Sequence, residues 1–336
     1  MKLLNLKKQH IVLLAILFVI CISIGGFFIF KKPKVSIVMP VYNGEKYLEK
    51  TVLFLLHSKF RDFEFIIIDD GSKDNSYKLL EEIAKTDRRI KLYKNEKNMG
   101  IVKTRNRGMA LAKGKYIAPM DQDDWSMPDR LGASVKYLDE NPKIDVVDVG
   151  TILMNDYFHG RKVERYGAIS YLLKTLEFER ANYTQDEIDE NIKFSLLFSL
   201  AVPTQSGAMM RKSFIDENNI KYREGILYSD DYYLYLDMIK KGANFHHIDE
   251  VMHIYNDIRE HDKGFNAKQV EETNNAKREL FTLVGLNFDN YENDWDNLEI
   301  FVCRVINDLL LKDEKNLYFN RALLEKNKKF VCDKNV

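Results

Sequence analysis

The sequence predicts an α/β protein built on a mostly parallel sheet with helices on both faces. Three observations point there. From residue 35 to about 140, short β-branched runs alternate with amphipathic stretches, the order that gives parallel strands joined by crossover helices. The segments just past those runs, PVYNG (40–44), DDGSKDNS (69–76), NEKNMG (95–100) and DQDDW (121–125), are polar, turn-forming or acidic. Loops of that kind belong at the carboxyl edge of such a sheet, where ligands bind. The composition, 45% hydrophobic and 30% charged, suits a chain that buries a core.

The elements follow in order. Residues 11–30, IVLLAILFVICISIGGFFIF, carry no charge and as a helix would rise about 30 Å, the thickness of a bilayer's hydrocarbon core. The run is longer than a signal peptide's, and Cys21 lacks a small residue before it, so an uncleaved transmembrane anchor is expected within residues 1–32. Lys2, Lys7 and Lys8 precede it and Lys31, Lys32 and Lys34 follow, so flanking charge sets no orientation. VSIVM (35–39) reads as a strand stopped by Pro40. Glu45 to Ser58 is a helix with Leu48, Val52, Leu55 and Leu56 on one face. FEFIIID (63–69) is the second strand, and Asp74 to Lys85 the next helix, striped by Leu79, Leu80 and Ile83. IKLYKN (90–95) is the third strand. Residues 101–113 form a helix with Gly114 as a left-handed cap. KYIAPM (115–120) is the fourth strand, and Pro128 opens another helix.

The second half is less regular. Residues 172–193 form a polar helical stretch, and PTQSGAMMRKSF (203–214) reads as loop, short strand and helix start. YSDDYYLYLDMIKKG (228–242) is a helix with Ser229 as N-cap and Gly242 as terminator. VMHIYN (251–256) is a strand, and from about 267 charged helices pack on the core or on a partner. The organisation is therefore an anchor (1–32), an α/β domain (33–265, with halves 33–131 and 132–265) and a helical C-terminal region (266–336).

Lys+Arg and Asp+Glu both number 51, so no global basic field exists to attract nucleic acid. Cys21, Cys303 and Cys332 are odd in number, far apart and without metal-ligand spacing, so neither a disulfide framework nor a zinc site is expected.

MDQDDW (120–125) gathers Asp121, Asp123 and Asp124 at a strand end. Hard oxygen ligands suit Mg2+ or Mn2+, which keep positions open for substrate phosphates. An isolated Asp-x-Asp also reads as a solvated turn whose acids cap the next helix. The facing polar loops favour a metal–phosphate site.

These stretches, VSIVMPVYNGEKYLEKTVLFLL, FEFIIIDDGSKDNS and NMGIVKTRNRGMALAKGKYIAPMDQDDW, resemble the nucleotide-binding half of glycosyltransferase family 2, closely over 34–131 and loosely to about 262. The resemblance implies a GT-A fold and an inverting, membrane-anchored enzyme using a nucleotide-diphosphate sugar, a UDP-sugar by preference. It implies that Pro40, Tyr42 and Asn43 hold the nucleotide, that Asp70 reads the base and that Asp69 supports its turn. An Asx-turn at Gly71 is compatible with both roles. Asn98, Gly100 and Arg105 fall around the nucleotide and its phosphates. Arg105 reads equally as a solvated helix charge, as do Lys103 and Arg107. Asp123 is implied as metal ligand, and Asp121 lies nearer the ribose or a metal-bound water. Asp124 matches a frequent third acid. Trp125 reads as core or as a lid.

The SDD of YSDDYYLYL resembles the family's Glu-Asp pair before an aromatic helix. Asp231 falls on the catalytic base and Asp230 replaces the usual Glu. The helix dipole favours ionised acids in that first turn, and ordinary N-terminal helix chemistry would account for the pair equally well. In IREHDKGFN (258–266), His261 is implied as a further metal ligand or diphosphate contact and Arg259 as a phosphate contact. Gln205 and Ser206 fall on the acceptor side. His246, His247 and His253 have no acidic partner in spacing and read as structural. The implied acceptor is a glycan or a lipid-linked sugar. The many Lys, Asn and Ile residues fit an AT-rich bacterial genome and hence a cytoplasmic catalytic domain, with the Golgi lumen as the alternative. Competing readings are an anchored sugar-nucleotide-binding protein with a lapsed site, and a sugar-phosphate nucleotidyltransferase. The latter requires a Gly-rich, Arg-containing loop where PVYNGEKY stands.

Overall fold

A computed structural model describes residues 32–155, 164–166, 187, 205–257, 267–294, 298–311 and 321–332. The first half follows the expected alternation: β1 (Val35–Val41), α1 (Glu45–Leu56), β2 (Phe63–Asp69), α2 (Ser76–Ala84), β3 (Ile90–Lys94), α3 (Ile101–Leu111) and β4 (Tyr116–Pro119). Then come β5 (Trp125–Ser126), α4 (Arg130–Glu140), β6 (Val146–Asn155), β7 (Glu164–Tyr166), a 3-10 turn (Gln205–Gly207), β8 (Met209–Arg211) and α5 (Lys212–Glu217). The remainder is α6 (Asp230–Lys240), β9 (Phe245–Asp257), α7 (Ala267–Leu283), a 3-10 helix (Phe288–Asp294), α8 (Leu298–Leu311) and α9 (Arg321–Val331).

The strands form one sheet in the order β3-β2-β1-β4-β8-β6-β9-β5, with β7 beside β6. The quartet β3-β2-β1-β4 is parallel, but β8 runs antiparallel to both β4 and β6, and β5 is antiparallel to β9. The sheet is thus mixed rather than mostly parallel. A second parallel pairing, β6 with β9, lies beyond β8, and the antiparallel steps come at the short strands β8, β5 and β7.

β1 and β2 are buried along their whole length, and alternate residues feed two cores. Ile37, Met39, Phe65 and Ile67 pack with Leu48, Val52 and Leu55 of α1 and with Leu131 and Leu138 of α4. Val38, Ile66 and Ile68 face the other layer, with Val102 of α3, Leu234 of α6, Phe281 of α7, Phe301 of α8 and Leu323 of α9. The C-terminal helices therefore belong to the core of this chain.

Several expectations are corrected. Pro40 does not stop β1, which continues to Val41 opposite Asp69. The carbonyls of Lys34 and Val38 accept from Tyr116 and Met120, whereas that of Val41 accepts from Asp70. Pro40 thus turns its nitrogen to the β4 side, where pairing has ended at Val38, and no ladder bond is lost. Gly114 does not adopt the left-handed conformation. It is required for close approach: a Cβ there would lie 2.5 Å from Ser36 N. Its amide donates to Ser36 Oγ at 2.8 Å, and Ser36 Oγ donates to the buried Glu64 at 2.6 Å. That network explains two polar residues inside buried strands.

Cys303 and Cys332 form a disulfide across 29 residues, against the expectation of none, because α8 and α9 pack side by side and bring the two together. His247 and His253 gain acidic partners from the fold, Asp148 at 2.9 Å and Asp124 at 3.3 Å, and both histidines are buried. Among the described residues no helix is long and apolar enough to cross a membrane. The expected anchor (11–30), nearly all of the polar stretch 172–193, and Arg259 with His261 lie outside the described residues.

Gly114→Ala should force β1 and the α3–β4 turn apart. Urea denaturation is expected to show a loss of about 1–3 kcal/mol; an unchanged midpoint would refute the close-approach argument.

Candidate functional site

The four polar loops meet at the carboxyl edge of β1, β2, β3 and β4. They surround a cleft of about 420 Å3 lined by Pro40, Tyr42, Asp70, Asn98, Gly100, Arg105, Asp121 and Asp123, together with Val41, Ile101, Gln122 and Tyr255. That volume lies within the usual range for small-molecule sites. Eight residues expected from the sequence thus share one wall system. Asn43 and Asp69 stand behind it.

The loops are stitched to one another. Asn43, at φ +51°, accepts from Lys73 N through Oδ1 at 2.8 Å, and its own amide donates to Ser72 Oγ at 3.0 Å. Tyr42 N donates to Gln122 Oε1 at 3.0 Å, and Gln122 Nε2 returns a bond to Tyr42 O at 3.3 Å. Gln122 was silent in the sequence, standing between two acids with no pattern of its own. Asp69 accepts from Ser72 N at 3.3 Å. Gly71, at φ +72°, lies where a Cβ would come within 2.8 Å of Asn98 N, so at that point the second and third loops meet backbone to backbone.

Asp70 is buried and heavily engaged. Oδ1 accepts from Asn95 Nδ2 at 2.6 Å and Met99 N at 2.9 Å, and Oδ2 accepts from Gly100 N at 2.9 Å. The carboxylate therefore sets the first turn of α3 while one edge of it still lines the cleft. Arg107 is not a solvated charge: it donates to Lys94 O at 3.0 Å and to Asn95 Oδ1, bracing the side chain that holds Asp70. Lys103 reaches Glu224 at 3.6 Å.

Arg105 overturns its reading as a solvated charge most clearly. Its side chain is 7% exposed, and it donates to Asp121 Oδ1 and to Asp230 Oδ2. One guanidinium thereby joins the first acid of DQDD to the first acid of α6. Burial works against its charge, but Asp230 and Asp121 outweigh that and hold it firmly protonated. Asp121 N donates to Ser206 Oγ at 2.9 Å, which gives the expected acceptor-side Ser206 a positioning contact. Gln205 donates to the Tyr222 hydroxyl.

Asp124 faces away from the cleft. It is 1% exposed, and its oxygens accept from Asn256 N at 3.0 Å and meet His253 Nε2 at 3.3 Å. His253 Nδ1 lies 3.1 Å from Thr151 Oγ1. The third acid thus clamps the DQDD loop to β6 and β9. The fully buried Arg130, pushed down to about 10 by burial, lies close enough to feel the Asp124 charge. Trp125, half-buried, stacks on Phe54 of α1 at 5.4 Å and does not line the cleft.

Burial raises Asp123 to about 7, helped by the neighbouring charges of Asp124 and Asp121. Burial likewise lifts Asp231 to about 7, reinforced by Asp230 and opposed by Arg105. The expectation that the helix dipole would dominate at Asp231 fails, because its site is drier than an exposed first turn. Asp231 Oδ1 accepts from Tyr232 N at 2.7 Å. Among the described residues no three His, Cys, Asp or Glu side chains converge as a metal-binding group. Asp121 commits Oδ1 to Arg105, and the third expected ligand, His261, lies outside the described residues.

Arg105→Met would leave two carboxylates in a dry site without their cation. Such losses cost about 3–5 kcal/mol, and urea unfolding at neutral pH should show it; full stability in this variant would mean the pairing is incidental.

A model of the family "Glycosyl transferase family 2" matches residues 36–218. An uncharacterised glycosyltransferase of Methanocaldococcus jannaschii is 33% identical over 223 residues, covering 66% of this chain and 70% of that protein. The fold resembles that of S. aureus TarS 1–349, solved with UDP-GlcNAc (TM-score 0.55, 20% identity, 89% of this chain and 81% of that one). It also resembles the mannosyltransferase PcManGT of Pyrobaculum calidifontis, solved with GDP-Man and Mn2+ (TM-score 0.51, 14% identity, 90% and 70%). The chain is a glycosyltransferase and belongs to glycosyltransferase family 2.

Proposed function

We propose that this glycosyltransferase transfers a sugar from a UDP-sugar, with inversion, to a hydroxyl of a glycan or lipid-linked acceptor. One observation carries the reading: the cleft that gathers Asp70, Asp121 and Asp123 is joined through Arg105 to the acid pair of α6. The likeness to proteins solved with UDP-GlcNAc and GDP-Man supports a nucleotide-sugar donor.

In an inverting transfer the acceptor hydroxyl attacks the anomeric carbon opposite the departing diphosphate. The new C–O bond forms as the bond to the diphosphate oxygen breaks, and the hydroxyl proton passes to a carboxylate. Asp231 takes that proton: raised to about 7, it is roughly half ionised at neutral pH and basic enough to accept it. Asp230 orients the pair through Arg105, and Asp70 with the Tyr42–Asn43 loop holds the nucleoside.

A divalent cation, Mn2+ or Mg2+, fits the residues present. Asp123 lines the cleft, pairs with no cation among the described residues, and is raised toward protonation by burial and its acidic neighbours. Asp123 would hold the ion, with Asp121 beside it and substrate phosphates completing the shell. When bound, the ion supplies positive charge to the leaving diphosphate. His261 remains the proposed additional ligand. Residues 11–30 would tether the enzyme to a membrane. The cytoplasmic side is preferred because the sugar-nucleotide pool lies there. The Cys303–Cys332 bridge is the observation that favours an oxidising compartment instead.

Nucleotide release from UDP-sugars by residues 33–336, with and without Mn2+, tests the assignment. Asp123→Ala should abolish metal-dependent turnover. Asp231→Asn should bind donor nearly as well as the parent and lose transfer by at least ~100-fold. Transfer at the parental rate in Asp231→Asn would refute the base. The base must be ionised, so kcat/KM should rise with pH and level off above about 7. A flat profile between pH 5 and 8 would assign the base elsewhere.

A further inference from the structure

Acceptor recognition has no residue yet, and a loop beside the acid pair supplies one. Leu227 and Tyr228, just before Ser229 and α6, expose 49% and 45% of their surface. Their backbone is held hard. Glu272 of α7 is only 7% exposed, yet its carboxylate accepts from Leu227 N at 3.0 Å and Tyr228 N at 2.8 Å. Ser229 Oγ meets Thr273 Oγ1 at 3.2 Å. At the loop's start, Arg223 pairs with Asp237 of α6 and with Glu279 of α7. Gly225, at φ +92°, makes the turn between. Burying a carboxylate is costly, and here it fixes main chain whose two large side chains face water. Solvent-facing loops need no such grip, whereas a preorganised binding edge does.

The loop's course places that edge. Tyr222 N and O both bond to Asn106, while Glu224 pairs with Lys103, so the loop runs along α3 toward its N-terminus. Beyond the turn at Gly225, Leu227 and Tyr228 lie against α7, through Glu272. At the other end, Asp230 is tied to Arg105 on the donor cleft. The exposed Tyr228 thus stands two residues before Asp230 and three before Asp231, beside the acid pair that Arg105 ties to the donor cleft.

We infer that Tyr228, with Leu227, forms a platform on which the apolar face of the acceptor sugar ring stacks, positioning its hydroxyl toward Asp231. This rests on the reading of the cleft as a sugar-transfer site. A pyranose presents C–H groups on one face and hydroxyls at its edge, which suits an aromatic ring flanked by an aliphatic side chain and an acid.

The test uses the full chain in detergent with Mn2+, UDP-glucose, UDP-galactose and UDP-GlcNAc as donors, and cellobiose, chitobiose, mannobiose and N-acetyllactosamine as soluble acceptors. The disaccharide that most accelerates UDP release serves as probe. Tyr228→Ala is expected to raise the KM for that disaccharide about tenfold more than the KM for donor, and Tyr228→Phe to restore it. Equal shifts in both constants, or none, would overturn the platform. So would donor hydrolysis that no disaccharide accelerates, or a defect seen only with a lipid-linked acceptor, which would assign the patch to an acyl chain. Absence of UDP release from every donor would instead refute the donor reading itself, and the platform with it.

Discussion

The structure turns on a buried guanidinium. Arg105 lies between Asp121, at the end of the fourth parallel strand, and Asp230, at the head of a helix 109 residues further along the chain. Through it the donor loops and the acid pair are joined by direct side-chain contact. The cost of drying three charges is offset only if their geometry is maintained, so the pairing constrains how far either half can drift. Around it stand Asp123, Asp124 and Asp231, of which Asp124 is felt by the buried Arg130. Burial, reinforced by the neighbouring acids, lifts Asp123 and Asp231 to about 7. A divalent ion and a diphosphate would bring that site into balance, the ion against the acids and the phosphates against the ion.

The acids of DQDDW consequently divide their work. Asp121 turns to Arg105, Asp123 faces the cleft, and Asp124 turns back to His253 and Asn256. A run of like charges is tolerable because successive side chains leave in different directions and find different partners. Asp70 follows the same logic: its carboxylate is buried because Asn95, Met99 and Gly100 supply the hydrogen bonds that water would have given. Each loop of the cleft is held by a neighbouring loop, so the site is built by the sheet edge as a unit.

Much of this was legible in the sequence where local rules govern. FEFIIID became β2 without adjustment, and the polar segments past the strand ends did meet. Pro40 misled because its effect depends on which side of a strand has a neighbour, a fact of pairing. Gly114 misled because close packing, as well as a left-handed turn, demands glycine. The mixed sheet was hidden in strands as short as Met209–Arg211, too brief to show a period. Arg107 looked like a solvated helix charge, and Arg105 read equally as that or as a contact to the nucleotide and its phosphates, since their partners lie in other elements and spacing is blind to those. The same blindness concealed the Cys303–Cys332 bridge, the Asp124–His253 clamp and the grip of Glu272 on Leu227 and Tyr228.

The central claim is that Asp123 presents its carboxylate to a cation that holds a sugar nucleotide's diphosphate in this cleft. Anomalous diffraction from crystals of residues 33–336 grown with UDP and MnCl2 tests it most directly. The account predicts a manganese peak bonded to Asp123 and to the diphosphate, with the uracil beside Asp70. A nucleotide ordered in the cleft with no manganese at Asp123, or a peak elsewhere on the protein, would contradict it.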